Sequence, residues 1–209
     1  MPEQSLTGIY GKLPSHGDFV SHNLDSTFVD CWDEWLRSCL FASREQLGEQ
    51  WLGTYLESPV WRFAIDAEIA GPMPIAGVML PSVDAVGRYF PFTLAAPPLE
   101  GTRAASLRKA SAWYDSASAV ALTVLNDGFD LTAFLEEIGA LEPLRAEPLP
   151  AANDVWLAEA TDAGSDLLGL VKPCCLFWTD GSPQVEAGML VSSSLPSPDR
   201  FAFMLGGGA

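Results

Sequence analysis

Residues 58–95 read SPVWRFAIDAEIAGPMPIAGVMLPSVDAVGRYFPFTLA, and this stretch contains three short apolar runs separated by turns. The runs extend from Val60 to Ile65, from Ile75 to Leu80 and from Tyr89 to Ala95. Short links between successive strands favour an antiparallel meander. Because the runs are almost continuously apolar, we expect both faces of the sheet to be covered.

Apolar residues at spacings of three and four predict helices on either side of this stretch. From about Thr27 the pattern predicts an amphipathic helix that ends near Gly48, and Thr27 with Asp30 resembles a capping box. Further helices are expected over residues 51–55, 103–125, 131–138 and 197–205. Further strands are expected over residues 7–11, 155–159, 174–179 and 184–190.

The composition is that of one globular domain. The chain has 209 residues, of which 48% are hydrophobic and 18% charged, so it has enough apolar surface to build a core without disulfides. No shift in composition marks a boundary at the proline-rich connector 142–153, and we predict a single domain over residues 1–209. The N-terminus lacks a secretory signal and no apolar run is long enough to span a membrane, which predicts a cytoplasmic protein.

The charge balance argues against direct binding to nucleic acid. The chain has 11 Lys and Arg against 27 Asp and Glu, a formal net charge of −16. Proteins that bind duplexes neutralise phosphates with clustered basic residues, and here the basic residues are dispersed. An acidic exterior also favours a basic patch on any protein partner.

The patterns typical of enzymes and metal sites are incomplete. The stretch from Gly8 to Lys12 has too few residues between its glycines for a phosphate-binding loop. His16 and His22 are the only histidines and flank Asp18, but a catalytic metal requires a third firm ligand. The four cysteines have neither zinc spacing nor disulfide density and are expected to be buried thiols. We therefore predict no enzyme activity, no metal and no cofactor.

Charged residues inside the apolar runs are the most informative feature. Arg62, Asp84 and Arg88 lie within segments that otherwise predict buried strands. A buried charge has to be paired, so these residues form either a structural network, together with Lys12 or Asp18, or part of a polar patch for a partner. The sequence leaves both interpretations open.

Four motifs in the first hundred residues resemble the N-terminal signature of the TagF/ImpM proteins associated with type VI secretion. They are Gly8-Ile9-Tyr10-Gly11-Lys12-Leu13-Pro14-Ser15-His16-Gly17-Asp18-Phe19-Val20, Trp32-Asp33-x-Trp35-Leu36, Ser58-Pro59-Val60-Trp61-Arg62-Phe63 and the stretch from Gly77 to Phe92. The resemblance implies an α/β fold, a three-layer α-β-α sandwich with a mixed, largely antiparallel sheet.

The resemblance also implies a regulatory function. Proteins of this family act in the cytoplasm as post-translational repressors of type VI secretion, by binding and sequestering the forkhead-associated scaffold protein. The candidate residues for partner binding or for the network are Lys12, His16, Asp18, Phe19, Arg62, Ser82, Asp84 and Arg88. Lys12 and Asp18 are expected to be exposed members. The alternative is a small-ligand or enzymatic pocket around Lys12, Asp18 and Arg88.

Overall fold

The computed structural model describes residues 6–146 and 173–206, which form one seven-stranded sheet with helices. The strands are β1 (Gly8–Gly11), β2 (Val20–His22), β3 (Trp61–Ile65), β4 (Ile75–Leu80), β5 (Phe92–Ala96), β6 (Cys175–Thr179) and β7 (Gly188–Ser192). The helices are α1 (Ser26–Leu47), α2 (Trp51–Leu56), α3 (Ala104–Leu107), α4 (Ser111–Leu122), α5 (Leu131–Gly139) and α6 (Pro198–Leu205). Short 3₁₀ turns follow α1 and α4.

The sheet has the order β2-β1-β5-β4-β3-β6-β7, and every described pairing is antiparallel. The predicted meander is confirmed: β4 lies between β3 and β5, and its six residues are all buried. The prediction of an α/β fold with a largely antiparallel sheet is therefore confirmed.

Each face of the sheet supports its own apolar core. One core joins Ala64 and Val78 to α3, α4 and α5. The other joins Phe63 and Met79 to α1, α2 and α6 and is rich in aromatic rings. Successive strand residues point to opposite faces, so these neighbouring positions belong to different cores. This arrangement is compatible with the expected helix–sheet–helix layering.

Tryptophan N–H groups connect the aromatic core to the backbone and to the sheet. The indole Nε1–H of Trp32 donates to Thr93 Oγ1 over 2.9 Å inside the core. Two further indoles donate to carbonyls before and within α6: Trp35 to Pro196 O over 2.7 Å, and Trp61 to Met204 O over 2.9 Å. A buried polar group costs free energy unless it is hydrogen-bonded, and these bonds hold α1 and α6 in register with the sheet.

The cap of α1 differs from the predicted one. Asp25, rather than Thr27 with Asp30, is the N-cap residue, and its carboxylate accepts the backbone N–H groups of Thr27 and Phe28 over 2.9 and 3.3 Å. An N-cap side chain bonds N–H groups two and three residues ahead, so the cap must lie just outside the helix. The predicted C-terminal end at Gly48 is confirmed.

The predicted helix over residues 103–125 is wrong in its continuity, because it is divided into α3, α4 and a 3₁₀ turn. The cause lies at its start. The buried carboxylate of Asp66, just after β3, accepts the N–H of Ala104 over 2.7 Å and pairs with Arg103. The same carboxylate accepts the N–H of Cys174 over 2.7 Å. These tertiary contacts place α3 independently of α4, which packs along the sheet.

The other predicted elements are mostly present. The helices over 51–55, 131–138 and 197–205 are confirmed as α2, α5 and α6, whereas β7 begins later than predicted and β2 was not predicted. The predicted strand over 155–159 lies outside the described residues, as does part of the connector. The cysteines are free, and three are buried while Cys31 is partly exposed. Within the described ranges, no helix combines the length and apolar character needed to cross a bilayer.

Replacing Gly77 by alanine should destabilise the sheet. A Cβ at this β4 position would lie 2.4 Å from Leu94 O and 2.6 Å from the Phe63 ring. We expect a loss of about 1–3 kcal/mol in the free energy of unfolding, because the core must shift to accept the methyl group. The measurement is urea unfolding followed by circular dichroism.

Gly53→Ala provides the matched control, since a Cβ at this exposed position in α2 would have no heavy atom within 4 Å. Alanine favours helix over glycine, so this variant should gain up to about 1 kcal/mol. Equal effects of the two substitutions would contradict close packing at Gly77.

Candidate functional site

Two loops meet at one end of the sheet, residues 12–19 between β1 and β2 and residues 81–91 between β4 and β5. Gly11 brings them together: its φ of 137° favours glycine, and a Cβ there would lie 2.2 Å from Pro91 O. Ser82 Oγ donates to Lys12 O over 2.7 Å, and the N–H of Ala85 donates to His16 O over 2.9 Å. We call these two loops together the loop pair.

The carboxylate of Asp84 is the centre of the loop pair. Its Oδ2 accepts from Lys12 Nζ and from Arg88 Nε, each over 2.6 Å. Its Oδ1 accepts the backbone N–H groups of Val86 and Arg88 over 3.1 and 2.8 Å. Asp84 is only 3% exposed and Lys12 5%. One buried carboxylate thus closes its own turn and joins that turn to the neighbouring loop.

The pKa of the Asp84 carboxyl reflects two opposed effects. Burial raises the pKa, because it disfavours the charged form. The hydrogen bonds from Lys12, from the backbone and side chain of Arg88 and from Val86 lower it, and together they outweigh burial. The net result is a pKa well below the usual range of an aspartate. Asp84 is therefore a stable anion that is fully engaged in structural contacts.

Tyr55 supports the loop pair from α2. Its hydroxyl donates to Ser82 O over 2.9 Å and accepts the N–H of Ser82 over 3.0 Å, so both polar groups of that residue's backbone are bonded. Burial raises the pKa of the Tyr55 hydroxyl far above its usual value, which keeps it neutral. The N–H of Phe90 also donates to Ser82 O, over 3.1 Å.

Phe19 closes the loop pair with an aromatic cluster. Its ring stacks on Tyr10 with centroids 5.6 Å apart and meets Phe90 edge-on at 4.8 Å. Lys12 Nζ lies 5.0 Å from the centroid of the Phe19 ring, and the Arg37 guanidinium lies 5.4 Å from it. Cations at these distances are attracted to the ring face.

Arg62 does not belong to the loop pair. It pairs with Asp115 of α4 over 3.1 Å and with Asp180 over 2.9 Å. These partners are not in the loop pair, and the candidate network among Arg62, Asp84 and Arg88 is divided in two. The charge inside the strand is neutralised near α4, by carboxylates whose proximity the sequence does not reveal.

The other candidate residues differ in exposure. Lys12 is buried, so the expectation that it is an exposed member of the network was wrong. Its ammonium group pairs with the buried carboxylate of Asp84 and neutralises that charge. Asp18 is exposed and accepts its neighbour's N–H, that of Phe19, over 2.8 Å. His16 is half-buried, and its Nδ1 lies 2.8 Å from Ser15 Oγ.

The charged groups of the loop pair are engaged in structural contacts. Lys12 and Asp84 neutralise each other in the interior. Lys12, Asp18 and Arg88 line none of the five main cavities formed by the described residues. The cavity with the most apolar lining, of about 160 Å³, lies against Phe28 and Met73. Among the described residues, no three His, Cys, Asp or Glu side chains group as metal ligands.

Sequence reasoning missed two positions that this geometry makes important. Tyr55 was assigned only to a helical turn, although its hydroxyl bonds the backbone of Ser82. Arg37, within the predicted helix from Thr27, lies over Phe19 and pairs with Asp33 over 2.5 Å. The spacing of Arg37 and Asp33 on a helix was a usable signal for their pairing, whereas nothing local indicated the contact with Phe19.

Asp84→Asn should remove a pH-dependent part of the stability. The folded-state pKa of Asp84 lies below its unfolded value of about 3.9, so its contribution is present above that pH and is lost as the pH falls further. The variant should be less stable than the native chain at pH 7, and the difference should narrow as the pH falls below about 4. The measurement is urea unfolding across this pH range.

Asp127→Asn, at an exposed position beyond α4, makes the same change of charge as a control and should have little effect at pH 7. A deficit for Asp84→Asn that stays constant between neutral and acid pH would contradict the ionised network.

Comparison with known proteins places the chain in a family. The family model described as the TagF N-terminal domain, type VI secretion system-associated, matches residues 8–141. The crystal structure of PA0076 from Pseudomonas aeruginosa PAO1 is 33% identical, with a TM-score of 0.82, and the match covers 97% of this chain and 95% of that one. A search of curated proteins finds no match. The chain therefore belongs to the family of TagF N-terminal domains associated with type VI secretion.

Proposed function

We propose that this chain is a cytoplasmic accessory protein that represses type VI secretion post-translationally. It does so by binding and sequestering the scaffold protein that carries a forkhead-associated domain. Membership of a family associated with type VI secretion supports the pathway. The likeness to PA0076 extends over nearly the whole chain, so this chain shares its fold with a protein of known structure.

The observation that carries the proposal is the buried network that joins the two loops of the loop pair. The Asp84 carboxylate holds the turn at Val86 through the backbone, and the Val86 side chain at the tip is 69% exposed. Asp18 is exposed on the adjoining loop, which Arg88 holds through Gly17 O. Loops held in one conformation lose less entropy on binding, so the buried network prepares a surface for a protein partner.

We also propose that the chain acts by binding and not by catalysis. General acid–base catalysis requires a titratable group placed to transfer a proton, with a pKa near the working pH. Asp84 is held as an anion far from such a pKa, and its partners are occupied with it. The engagement of Lys12 and Arg88 with Asp84 disfavours the alternative of a ligand pocket around Lys12, Asp18 and Arg88.

The proposed interface predicts that two exposed substitutions weaken scaffold binding. Val86→Asp and Asp18→Lys change the tip and the adjoining loop without touching the buried network. We expect each to raise the dissociation constant at least about tenfold, as is common for central interface positions. The measurement is calorimetry of the purified chain with the forkhead-associated scaffold encoded in the same secretion cluster.

Matched controls use the same chemical changes at the end of α4. Leu125→Asp and Asp127→Lys lie at exposed positions there and should bind the scaffold like the native chain. Saturable binding that is weakened only by the loop substitutions supports the interface. Equal affinity of all four variants would place the interface elsewhere, and a folded native chain that does not bind would contradict sequestration. Overproduction of a binding-defective variant should then fail to reduce secretion.

A further inference from the structure

A row of arginines follows the side of α1 that adjoins the loop pair. Arg37 and Arg44 are seven residues apart, which places them on the same side of the helix about 10 Å apart. Arg37 lies over Phe19, and Arg44 lies 4.2 Å from the centroid of the Trp51 ring. Trp51 in turn meets Tyr89 with centroids 5.8 Å apart.

Arg88 extends the row on the loop side. It directly precedes Tyr89, and its guanidinium donates to Gly17 O, close to Phe19 in the chain. We call the surface formed by Arg37, Arg44 and Arg88 with the rings between them the arginine groove. The rings are those of Phe19, Trp51 and Tyr89.

Arg44 is available to a partner. It is exposed, and its only described contact with another side chain is the one with Trp51. None of the ion pairs found within residues 6–146 and 173–206 includes Arg44. The aromatic ring orients the guanidinium without neutralising its charge, which leaves its five N–H donors for an acceptor.

Arg37 and Arg88 retain binding capacity although each has a carboxylate partner. Arg37 uses Nε for Asp33, and its side chain is 60% exposed. Arg88 uses Nε for Asp84 and a terminal nitrogen for Gly17 O, and its side chain is 57% exposed. A guanidinium has five N–H donors, so each residue keeps donors for an incoming carboxylate while its structural contacts hold it in place.

Nearby acidic residues do not fill the groove. Arg37 and Arg44 border the buried position Leu40, whereas Glu34 and Glu45 are turned roughly 60–100° farther round α1. Asp33 is engaged by Arg37 and by the Tyr10 hydroxyl, each over 2.5 Å. Asp18 is exposed next to Phe19 in the chain. The three arginines and Lys12 still exceed Asp18, Asp33 and Asp84 by one charge, 4 against 3, so the groove is locally basic on a chain of net charge −16.

Exposed apolar side chains accompany the arginines. Phe41 is 71% exposed and lies between Arg37 and Arg44 along the helix. Val86 is 69% exposed and lies two residues before Arg88 in the chain. Aromatic and arginine side chains are the residue types enriched at the energetic centres of protein interfaces. Their combination with exposed apolar groups favours a polypeptide partner.

We propose that the arginine groove binds an acidic segment of a protein partner, with carboxylates spaced about 10 Å apart on Arg37 and Arg44 and an apolar side chain between them against Phe41. The proposal deepens the proposed function, in which the scaffold would contribute the acidic segment. It rests on the proposed function only for the identity of that partner. Charge complementarity is local here and opposite in sign to the overall charge. Asp18 would face a basic residue of the partner that flanks the acidic segment, so Asp18→Lys would still weaken binding.

Carboxylates fit this groove better than phosphates or a membrane surface. Two of the three arginines already share their charge with Asp33 and Asp84, so each position offers limited net charge for a doubly charged phosphate. The overall charge of −16 repels nucleic acid and anionic lipid at longer range. A short peptide with a few separated single charges is repelled less, and it can place one carboxylate on each arginine.

The test compares Arg44→Glu with Arg200→Glu. Both reverse the charge of an exposed arginine on a helix, but Arg200 lies on α6 outside the groove. Arg44→Glu should weaken scaffold binding at least about tenfold, and Arg200→Glu should leave it within about twofold of the native value. Raising the salt concentration from about 50 to 300 mM should weaken binding of the native chain, because salt screens the attraction between Arg44 and a carboxylate of the partner. Binding of Arg44→Glu should depend less on salt, because this variant lacks that attraction.

The outcomes separate this inference from the proposed function. Native binding to the scaffold that is the same for Arg44→Glu and Arg200→Glu overturns the groove and leaves sequestration intact. If the native chain does not bind the scaffold, sequestration fails and the groove is tested alone with labelled peptides, measured by fluorescence anisotropy. The peptides carry Asp and Glu, Asn and Gln, or phosphoserine around one central Phe, and an anionic vesicle is the fourth probe.

In that arm, selective binding of the Asp and Glu peptide that is lost in Arg44→Glu supports the inference. Preference for the phosphoserine peptide or the vesicle overturns it in favour of a phosphate site. Binding of no probe overturns it as well. Unchanged circular dichroism and urea unfolding of Arg44→Glu show that any loss reflects the surface and not the fold.

Discussion

The buried carboxylate of Asp84 is the constraint on which the loop pair and its end of the sheet depend. A charge removed from water needs several polar contacts, and here they come from Lys12 in one loop and from the turn that contains Asp84 itself. Removing one of these contacts would leave the buried negative charge incompletely compensated. The network therefore holds two loops as one unit, and Tyr55 holds that unit on α2 through Ser82.

A second buried aspartate does the same at the opposite end of the sheet. Asp66 follows β3 and Asp84 follows β4, and because these strands are antiparallel the two residues lie at opposite ends. Asp66 accepts backbone N–H groups from the start of α3 and from the entry to β6, and it pairs with Arg103. Both ends of the sheet are thus held by a buried carboxylate that bonds groups from more than one segment, while the apolar cores supply the stability between them.

The average charge of this protein and the charge of its most informative surface have opposite signs. Net charge describes solubility and long-range attraction, whereas recognition depends on the groups within a few ångströms of the partner. Arg37 and Arg44 lie on α1, whereas Arg88 lies in the loop between β4 and β5. The Phe19 and Trp51 rings orient the guanidinium groups of Arg37 and Arg44, while Asp84 and Gly17 O hold that of Arg88. A protein of net charge −16 can in this way present a basic surface.

The sequence by itself determined the parts that depend on local pattern. The apolar runs around Gly77 predicted the central meander, and the spacing of Phe28, Trp32 and Trp35 predicted α1, because side-chain periodicity follows directly from backbone geometry. The charge of Asp84 in the largely apolar stretch 81–91 also identified this residue as one that needs partners. Only the tertiary structure decided which partners: Lys12 lies 72 residues from Asp84, and Arg62 finds its carboxylates near α4 instead. Pairing across such distances depends on strand order and on how loops pack, and neither is encoded in residue spacing.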